Sequence, residues 1–440
     1  MVEITKMKAE KQKAEKEAFF CTTKELSRLG LEQIPTQFQS HKHLIYSSPA
    51  TLAFNSPGAE GFGVKRAGLA VPDSIMLIVA PGCCGRNTSL ISSMKEYNDR
   101  FYYLMMDETD IVTGRHLKKI PKAVEEICSV CPKKPSVVMI CITCVDALLG
   151  TDMERVCKKA EEQVEIPVRP CYMYALTREG RKPPMVHVRQ SLYSLLEPGK
   201  KKGNVVNLLG FFSPLVDDCE IYDLLHSAGV KTIHEISRCK DYMEYQTMSE
   251  ANFNLVLHHE ARFAAEDFYN RLQIPFIELR RLYQIDKIEN QYHALGNALG
   301  VAFYDEKYKK QAEDALEKFR QKCPDASFAI GECLNADPFE LSLALIRYGF
   351  SVPEIYGTIT VENFTYIRSL AKISPETKVF SNMEPTMIYY DPAKSDVNLA
   401  IGKDACYYHP DCPYVMWNGE EQPYGYAGVR RLFEQLLEVV

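Results

Sequence analysis

The chain has 440 residues, of which 46% are hydrophobic and 25% are charged, and its formal net charge is −6. This length is too great for one hydrophobic core, so two to three domains are expected. The acidic balance without a basic stripe argues against nucleic acid as the main ligand. No apolar run reaches the roughly 18–20 residues that span a bilayer, and the Lys- and Glu-rich start does not resemble a secretory signal. A cytoplasmic protein with no membrane or nucleic-acid partner is predicted.

Strand and helix signals alternate along the chain after a charged arm that is predicted to be helical. The strands of the first block are predicted at 75–80, 101–106, 137–142 and 164–174. Its helices are predicted at 87–98, 116–130 and 151–163. The last of these helices is expected to begin with a capping box formed by Thr151 and Glu154.

A polar linker at 198–203, with Pro and Gly at its ends, is the clearest predicted boundary. Beyond it the pattern restarts twice, with strands predicted at 204–209, 231–233, 254–257, 274–277, 327–331, 351–355, 378–381 and 397–402. Helices are predicted at 219–228, 261–272, 337–348, 361–370 and 428–440, and a long, partly helical segment at 288–321. Alternation of this kind predicts an α/β fold of parallel sheets flanked by helices. The predicted domains are a helical arm at 1–40 and three α/β domains at 41–200, 201–325 and 326–440.

Cysteines gather where two predicted strands end. Cys83 and Cys84 follow the strand at 75–80 in a Pro-Gly-Cys-Cys-Gly turn, and Cys144 follows the strand at 137–142. Ligands of open α/β sheets bind outside the carboxyl ends of the strands, so these thiols are expected to meet in one crevice if the strands are neighbours. Thiolates select iron–sulfur clusters, copper(I) or zinc. An iron–sulfur site is the favoured interpretation, and buried small side chains are the ordinary alternative.

Two other groups of possible metal ligands carry weaker signals. Cys128, Cys131, Cys141 and Cys144 form two C-x-x-C pairs that resemble a zinc site. Positions three apart on a strand point to opposite faces, so ordinary core or surface thiols are favoured for Cys131 and Cys141. The loop 406–412 contains two cysteines and a histidine, and its signal has low specificity.

Two adjacent histidines, His258 and His259, follow the predicted strand at 254–257, and Glu260 comes next. A solvent-exposed helix start is the ordinary interpretation, and a role in binding substrate or metal is the alternative. Glu332 holds the same position after the strand at 327–331. The sequence has no P-loop and no G-x-G-x-x-G turn that opens a helix, which excludes nucleotide hydrolysis by a P-loop.

Three phrases, in this order, resemble the nitrogenase component 1 superfamily: Val79–Cys84, Met106–Gly114 and Cys144–Asp152. The likeness covers about residues 50–440 and continues in Asn254–His258, Ile274–Pro275, Asp396–Gly402 and Pro423–Gly428. It implies three Rossmann-like domains around a central crevice. It also implies a dimer or tetramer, formed with itself or with a homologous subunit, and an ATP-hydrolysing iron protein as electron donor.

The same resemblance implies an iron–sulfur cluster at the subunit interface, either 4Fe–4S or a P-cluster-like 8Fe–7S cluster. Its ligands would be Cys83 or Cys84, and Cys144. The family's earlier cysteine is missing from Asn55–Ala59, so the doubled cysteine is expected to restore the number of ligands. Cys21 and a partner subunit are the alternative sources of the missing thiol.

Further departures from the family pattern redirect the predicted function. His258 falls nearest to the position of the cofactor cysteine of nitrogenase, and Met416 and Trp417 occupy the region of its cofactor histidine. Dinitrogen reduction by the usual iron–molybdenum cofactor is therefore not expected. The leading prediction is a nitrogenase-like reductase subunit in which His258 and His259 act as catalytic proton donors beside a substrate or second metal cofactor. A scaffold for cofactor assembly, and a metal- or tetrapyrrole-binding protein of related fold, are the alternatives.

Overall fold

The structure is a computed structural model that describes residues 17–39, 48–54, 63–82, 97–143, 145, 149–172 and 182–440. In chain order its strands are β1 Phe20–Thr22, β2 Ile75–Ala80, β3 Phe101–Met105, β4 Val138–Ile142, β5 Val168–Tyr172, β6 Lys202–Leu209, β7 Thr232–His234, β8 Ala251–Val256, β9 Phe276–Glu278, β10 Ser327–Ile330, β11 Ser351–Tyr356, β12 Lys378–Phe380, β13 Leu399–Ile401 and β14 Tyr414–Val415. The α-helices among these residues are Thr23–Leu29, Pro49–Phe54, Val64–Gly68, Glu108–Thr113, His116–Val130, Met153–Val164, Pro184–Tyr193, Glu220–Ser227, Tyr242–Gln246, Arg262–Leu272, Ile285–Leu299, Glu306–Lys322, Pro338–Arg347, Phe364–Ile373, Lys403–Tyr408 and Gly425–Val439.

The strands form three sheets whose neighbours are parallel, except where β1 pairs antiparallel with β12. The strand orders are β3-β2-β4-β5, β7-β6-β8-β9 and β1-β12-β11-β10-β13-β14. From the first parallel strand of each sheet (β2, β6 and β10) the chain adds one or two strands on one side and then crosses to the other side. This reversal makes a switch point between β2 and β4, between β6 and β8, and between β10 and β13. Ligands of open α/β sheets bind at such points, beyond the carboxyl ends of the strands.

The first sheet shows why apolar runs become its strands. All six residues of Ile75–Ala80 are buried, because both faces of the sheet are covered. Successive side chains point to opposite faces of a strand. Accordingly, one hydrophobic core holds Ile75, Leu77 and Val79, and another holds Met76, Ile78 and Ala80.

The three sheets pack against one another through shared hydrophobic cores. Leu255 of β8 and Phe328 of β10 belong to one core, and Met139 of β4 and Val256 of β8 belong to another. Through these contacts the second sheet is joined to both of the others. Within the described ranges, no helix is long and apolar enough to cross a membrane.

Some predicted elements differ from the observed ones. Within the stretch predicted as a helical arm, residues 20–22 form the strand β1, which pairs with β12 at the other end of the sequence. The helix predicted from Thr151 begins at Met153, and the Asp152 side chain accepts the capping hydrogen bond from Arg155 N. The segment 288–321 divides into two helices after Gly300, whose φ of +71° ends the first. The helix predicted at 87–98 falls almost wholly outside the described residues.

Candidate functional site

A cavity of about 510 Å³ is lined by residues that follow β8, β9 and β10. It brings together His258 and His259 from the second sheet with Glu332 from the third. From the sequence, the two histidines and Glu332 were each expected directly after a strand, and the structure shows that these strand ends share one cavity.

The three predicted cluster cysteines, Cys83, Cys84 and Cys144, lie outside the described residues, so their role stays a prediction. The strands that precede them are neighbours in the first sheet, with Ile75 of β2 opposite Val138 of β4. This pairing is the condition from which convergence of the thiols was predicted.

Of the four cysteines considered for a zinc site, the three that lie in the described ranges are separated by the first sheet. Cys141 lies on β4 and is fully buried in the core on one face, whereas Cys128 and Cys131 pack against the core on the other face. The Cys131 thiol lies 3.1 Å from the Tyr102 hydroxyl. In the part of the chain that the structure describes, no group of three or more His, Cys, Asp or Glu side chains is arranged to hold a metal ion. The sheet therefore keeps Cys141 apart from Cys128 and Cys131, and the interpretation of Cys131 and Cys141 as ordinary thiols stays a prediction.

The segment 406–412, which was predicted as a loop, begins within the helix Lys403–Tyr408, and its histidine is engaged in a buried network. His409 Nε2 lies 3.1 Å from Glu354 Oε2 and 2.8 Å from the Tyr390 hydroxyl. The Cys412 thiol donates to the carbonyl oxygen of Val397 at 3.5 Å. These contacts hold the segment against the third sheet and occupy Nε2 of His409.

Close packing between β6 and β8 places His258. Gly210, which follows β6, has a φ of +142°, and a Cβ atom there would lie 2.8 Å from the backbone nitrogen of His258. Only glycine tolerates both that conformation and that contact. Arg189 fixes the same turn, because its Nη2 donates to the Gly210 carbonyl oxygen at 2.6 Å and its Nη1 to Glu260 Oε2 at 2.8 Å.

The two histidine rings stack with their centroids 4.5 Å apart. His258 Nδ1 accepts a hydrogen bond from the backbone N–H of Glu260 at 3.3 Å, so its ring proton lies on Nε2. Burial, with the charges of Arg189, His259 and Arg281, lowers the pKa of His258 well below its usual value, and the imidazole is neutral near pH 7. The catalytic roles predicted for both histidines stay predictions.

His259 is more exposed than His258, and no side chain or backbone group among the described residues hydrogen-bonds to its ring. Its ring nitrogens are available to a ligand in the cavity. Imidazole is a common ligand of iron, nickel, copper and zinc. His259 is therefore the metal donor that the described cavity offers most readily.

Two of the four cavity arginines are neutralised by carboxylates. Arg189 pairs with Glu260, as described, and Arg262 binds Glu278 through two hydrogen bonds of 2.7 and 2.8 Å. Two parallel hydrogen bonds of this kind form the strongest type of arginine–carboxylate pair. The positive charges of Arg189 and Arg262 are therefore neutralised by carboxylates of the protein itself.

The other two cavity arginines, Arg280 and Arg281, follow β9 and have no carboxylate partner among the described residues. The Arg281 guanidinium lies over the ring of Phe211, 4.4 Å from its centroid, and its Nη2 donates to Gln422 Oε1 at 2.6 Å. This pair was not predicted from the sequence, although two adjacent arginines shortly after a strand fit the same strand-end pattern as the histidines.

Carboxylates from the third sheet complete the cavity. Glu332 Oε1 accepts from the Thr358 backbone N–H at 2.8 Å and from its hydroxyl at 2.5 Å. Asp337 caps the helix Pro338–Arg347 by accepting from two of its backbone N–H groups. Burial raises the pKa of both Glu332 and Asp337. Asp404 fixes the backbone at Glu332, because its carboxylate accepts hydrogen bonds from the N–H groups of residues 332 and 333.

The family model of nitrogenase component 1 type oxidoreductases matches residues 60–440. The chain belongs to this family. The resemblance predicted from the sequence is thereby confirmed, over nearly the same range.

Curated relatives of this nitrogenase component 1 family chain are nitrogenase iron-molybdenum cofactor biosynthesis proteins NifE. The protein of Sinorhizobium fredii is 25% identical over 418 residues, which cover 89% of this chain and 82% of the relative. The protein of Mesorhizobium japonicum is 26% identical over 418 residues, with the same shares of 89% and 82%. Among solved structures, nitrogenase Cp1 at pH 6.5 is similar with a TM-score of 0.69 and 18% identity, covering 86% of this chain and 90% of that one. The predicted α/β fold of parallel sheets flanked by helices is confirmed.

Proposed function

We propose that this chain is a scaffold subunit, which holds a metal–sulfur cluster while a cofactor is assembled and then releases it. The scaffold was the alternative to a reductase in the sequence analysis. The NifE relatives are named as cofactor biosynthesis proteins, which supports the scaffold over the reductase.

The donor set of the cavity is the observation that carries this proposal. A resident catalytic metal is normally fixed by several protein ligands. The described lining contains no cysteine, and His259 is its one imidazole without a hydrogen bond. A cluster that brings its own sulfides needs only such an attachment point, with positive charge nearby to offset its own negative charge. A cargo held in this way is released when one coordinate bond breaks.

The cavity also supplies the positive charge that such a cargo requires. Arg280 and Arg281 have no carboxylate partner in the described structure, and His258 presents the N–H of Nε2 as a further donor. N–H groups directed at sulfide tune and hold iron–sulfur clusters. These residues would orient the cargo, and Arg189 would keep His258 in place.

A resident iron–sulfur cluster on Cys83, Cys84 and Cys144 belongs to the same proposal. Thiolates are the normal ligands of such clusters, and bound there the cluster would supply electrons to the cargo. We place it at an interface with an identical or homologous chain, with an ATP-hydrolysing iron protein as donor. The family match supports the interface and the donor, and the neighbouring strands β2 and β4 support convergence of the thiols.

The test separates the two metal sites by substitution. The full chain is purified anaerobically and loaded with iron and sulfide, and bound iron and the EPR spectrum are compared among variants. We expect His259→Ala to lose cargo iron and keep the resident signal, and Cys144→Ala to lose the resident signal. His293→Ala is the matched control, since His293 is an exposed histidine on the helix Ile285–Leu299. Equal iron content in His259→Ala and the wild type would contradict the proposal.

A further inference from the structure

We propose that Arg280 and Arg281 form a binding site for an oxyanion, a carboxylate or phosphate group, beside the attachment point at His259. The site deepens the proposed function, on which it rests only for the identity of the cargo. The oxyanion would be carried by the cargo or would bind next to it.

The distribution of charge among the cavity arginines points to this site. Arg189 and Arg262 each hold a carboxylate within 2.8 Å, so neither is available to a ligand. Arg280 and Arg281 line the same cavity, and no ion pair joins either to a carboxylate in the described structure. The positive charge in the cavity that no carboxylate neutralises is thus carried by two consecutive residues, Arg280 and Arg281.

Arg281 is held in one orientation without being neutralised. Its guanidinium stacks on Phe211, and its Nη2 donates to the Gln422 side chain. Gln422 is itself fixed, because its backbone N–H donates to the Pro214 carbonyl oxygen at 2.9 Å and its carbonyl oxygen accepts from Val216 N at 3.1 Å. Neutral partners that orient a guanidinium leave its charge for a ligand. Preorganisation of this kind lowers the entropic cost of binding.

The local environment makes an uncompensated Arg281 costly. Its Nε is buried and has no hydrogen-bond partner, and burial lowers the pKa of the guanidinium. A buried charge is stable only when it is paired and hydrogen-bonded. Glu332 and Asp337 also line the cavity, but they are bound to Thr358 and to a helix N-terminus. An incoming oxyanion would provide the missing counter-charge.

Neighbouring groups extend the site beyond one arginine. Phe211, under Arg281, also meets the ring of His258, with centroids 5.7 Å apart, so the guanidinium and the Nε2–H of His258 belong to one wall. The backbone of Arg280 is anchored by Gln291, which accepts from its N–H at 2.7 Å and donates to its carbonyl oxygen at 3.0 Å. The planar fork of a guanidinium matches the geometry of carboxylate and phosphate oxygens. The chemistry of the wall therefore selects an oxyanion.

Calorimetric titration of the full chain, isolated anaerobically and before any cluster is loaded, tests the site with inorganic phosphate and, separately, with citrate. Binding of one probe and not the other identifies the source of the oxyanion. We expect Arg281→Gln to weaken binding about ten- to hundredfold, and Arg281→Lys, which keeps the charge and loses the fork, to weaken it less. Arg368→Gln is the matched control, because Arg368 also stacks on a phenylalanine, Phe364, but lies outside the cavity. Its affinity is expected to equal that of the wild type.

Three outcomes would overturn the site: neither anion binds the wild type, Arg281→Gln binds as tightly as the wild type, or Arg368→Gln weakens binding equally. If Arg281→Gln fails to fold, modification of the wild type by phenylglyoxal replaces it. We then expect either anion to protect the peptide that contains Arg280 and Arg281, and an unprotected peptide would overturn the site. No iron is present in these measurements, so their failure leaves the His259 test unaffected, and failure of that test leaves this one.

Discussion

Replacement of Glu340 by glutamine is expected to change how the stability of the protein depends on pH. Glu340 is fully buried and accepts hydrogen bonds from the backbone N–H of Tyr283, at 2.9 Å, and from Gln284 Nε2, at 3.0 Å. These bonds anchor the segment that carries Arg281. Burial raises the pKa of Glu340 from 4.5 to about 7. At about 1.4 kcal/mol for each pH unit, this rise corresponds to about 3 kcal/mol.

The direction of the effect follows from the raised pKa. The folded protein keeps the Glu340 proton up to about pH 7, whereas the unfolded chain loses it near pH 4.5. The contribution of this group to the free energy of unfolding is therefore fully present below about pH 4.5 and is lost as the pH rises to about 7. Glu340→Gln has no proton to lose. Relative to the wild type, the variant should gain about 3 kcal/mol between about pH 4 and pH 8.

Urea denaturation followed by fluorescence measures this difference. The chain has one tryptophan, Trp417, which is buried and donates from Nε1 to the Tyr283 hydroxyl at 2.7 Å, so its emission reports on the segment that Glu340 holds. Glu313→Gln, on the exposed side of the helix Glu306–Lys322, is the control for loss of a carboxylate. A constant difference between Glu340→Gln and the wild type across this pH range would refute the reasoning.

Three further substitutions test contacts that shape or support the cavity. Gly210→Ala brings a Cβ atom to 2.8 Å from His258 N. We therefore expect a lower melting temperature and less retained cargo iron. Unchanged values would show that the turn accommodates the Cβ atom without loss of stability. Asp404→Ala leaves two backbone N–H groups and the Asn382 amide without their acceptor. We expect the free energy of unfolding, measured by urea denaturation, to fall by about 3 kcal/mol. A loss well below about 1 kcal/mol would show that these hydrogen bonds do not stabilise the fold. Glu220→Ala removes the buried acceptor of a tyrosine hydroxyl and of two N–H groups that start the C-terminal helix. We expect a similar or larger loss in the free energy of unfolding, which Glu220→Gln restores only in part. Equal stability of the wild type and the two variants would contradict this.

The fold was largely predictable because its strands carry strong local signals. Ile75–Ala80 is apolar throughout and is buried on both faces, and His116–Val130 has helical spacing whose predicted bounds match the observed helix. The strands β1 and β14 were missed, since they are only three and two residues long. Their hydrogen-bonding partners are distant or short strands that leave no local pattern. Boundaries set by a single side chain, such as the Asp152 cap, were also missed.

The candidate site was predictable only in part. Position after a strand was enough to single out His258, His259 and Glu332, because parallel strands all end on one edge of a sheet. The role of Arg281 depends on the lack of a carboxylate partner among the described residues and on its hydrogen bond to Gln422, which is 141 residues away along the chain. No sequence window contains that information. The cluster role of Cys83, Cys84 and Cys144 stays a prediction from the sequence and the family.

Transfer of labelled iron tests the scaffold proposal most directly. The chain is loaded anaerobically with radioactive iron and sulfide and mixed with a nitrogenase component 1 acceptor that lacks its cofactor, and the two proteins are then separated. We predict that label moves to the acceptor from the wild type, that the chain can be reloaded, and that His259→Ala delivers little. Label that stays on the chain, while the chain itself turns over a substrate with a low-potential donor, would contradict the scaffold and restore the reductase.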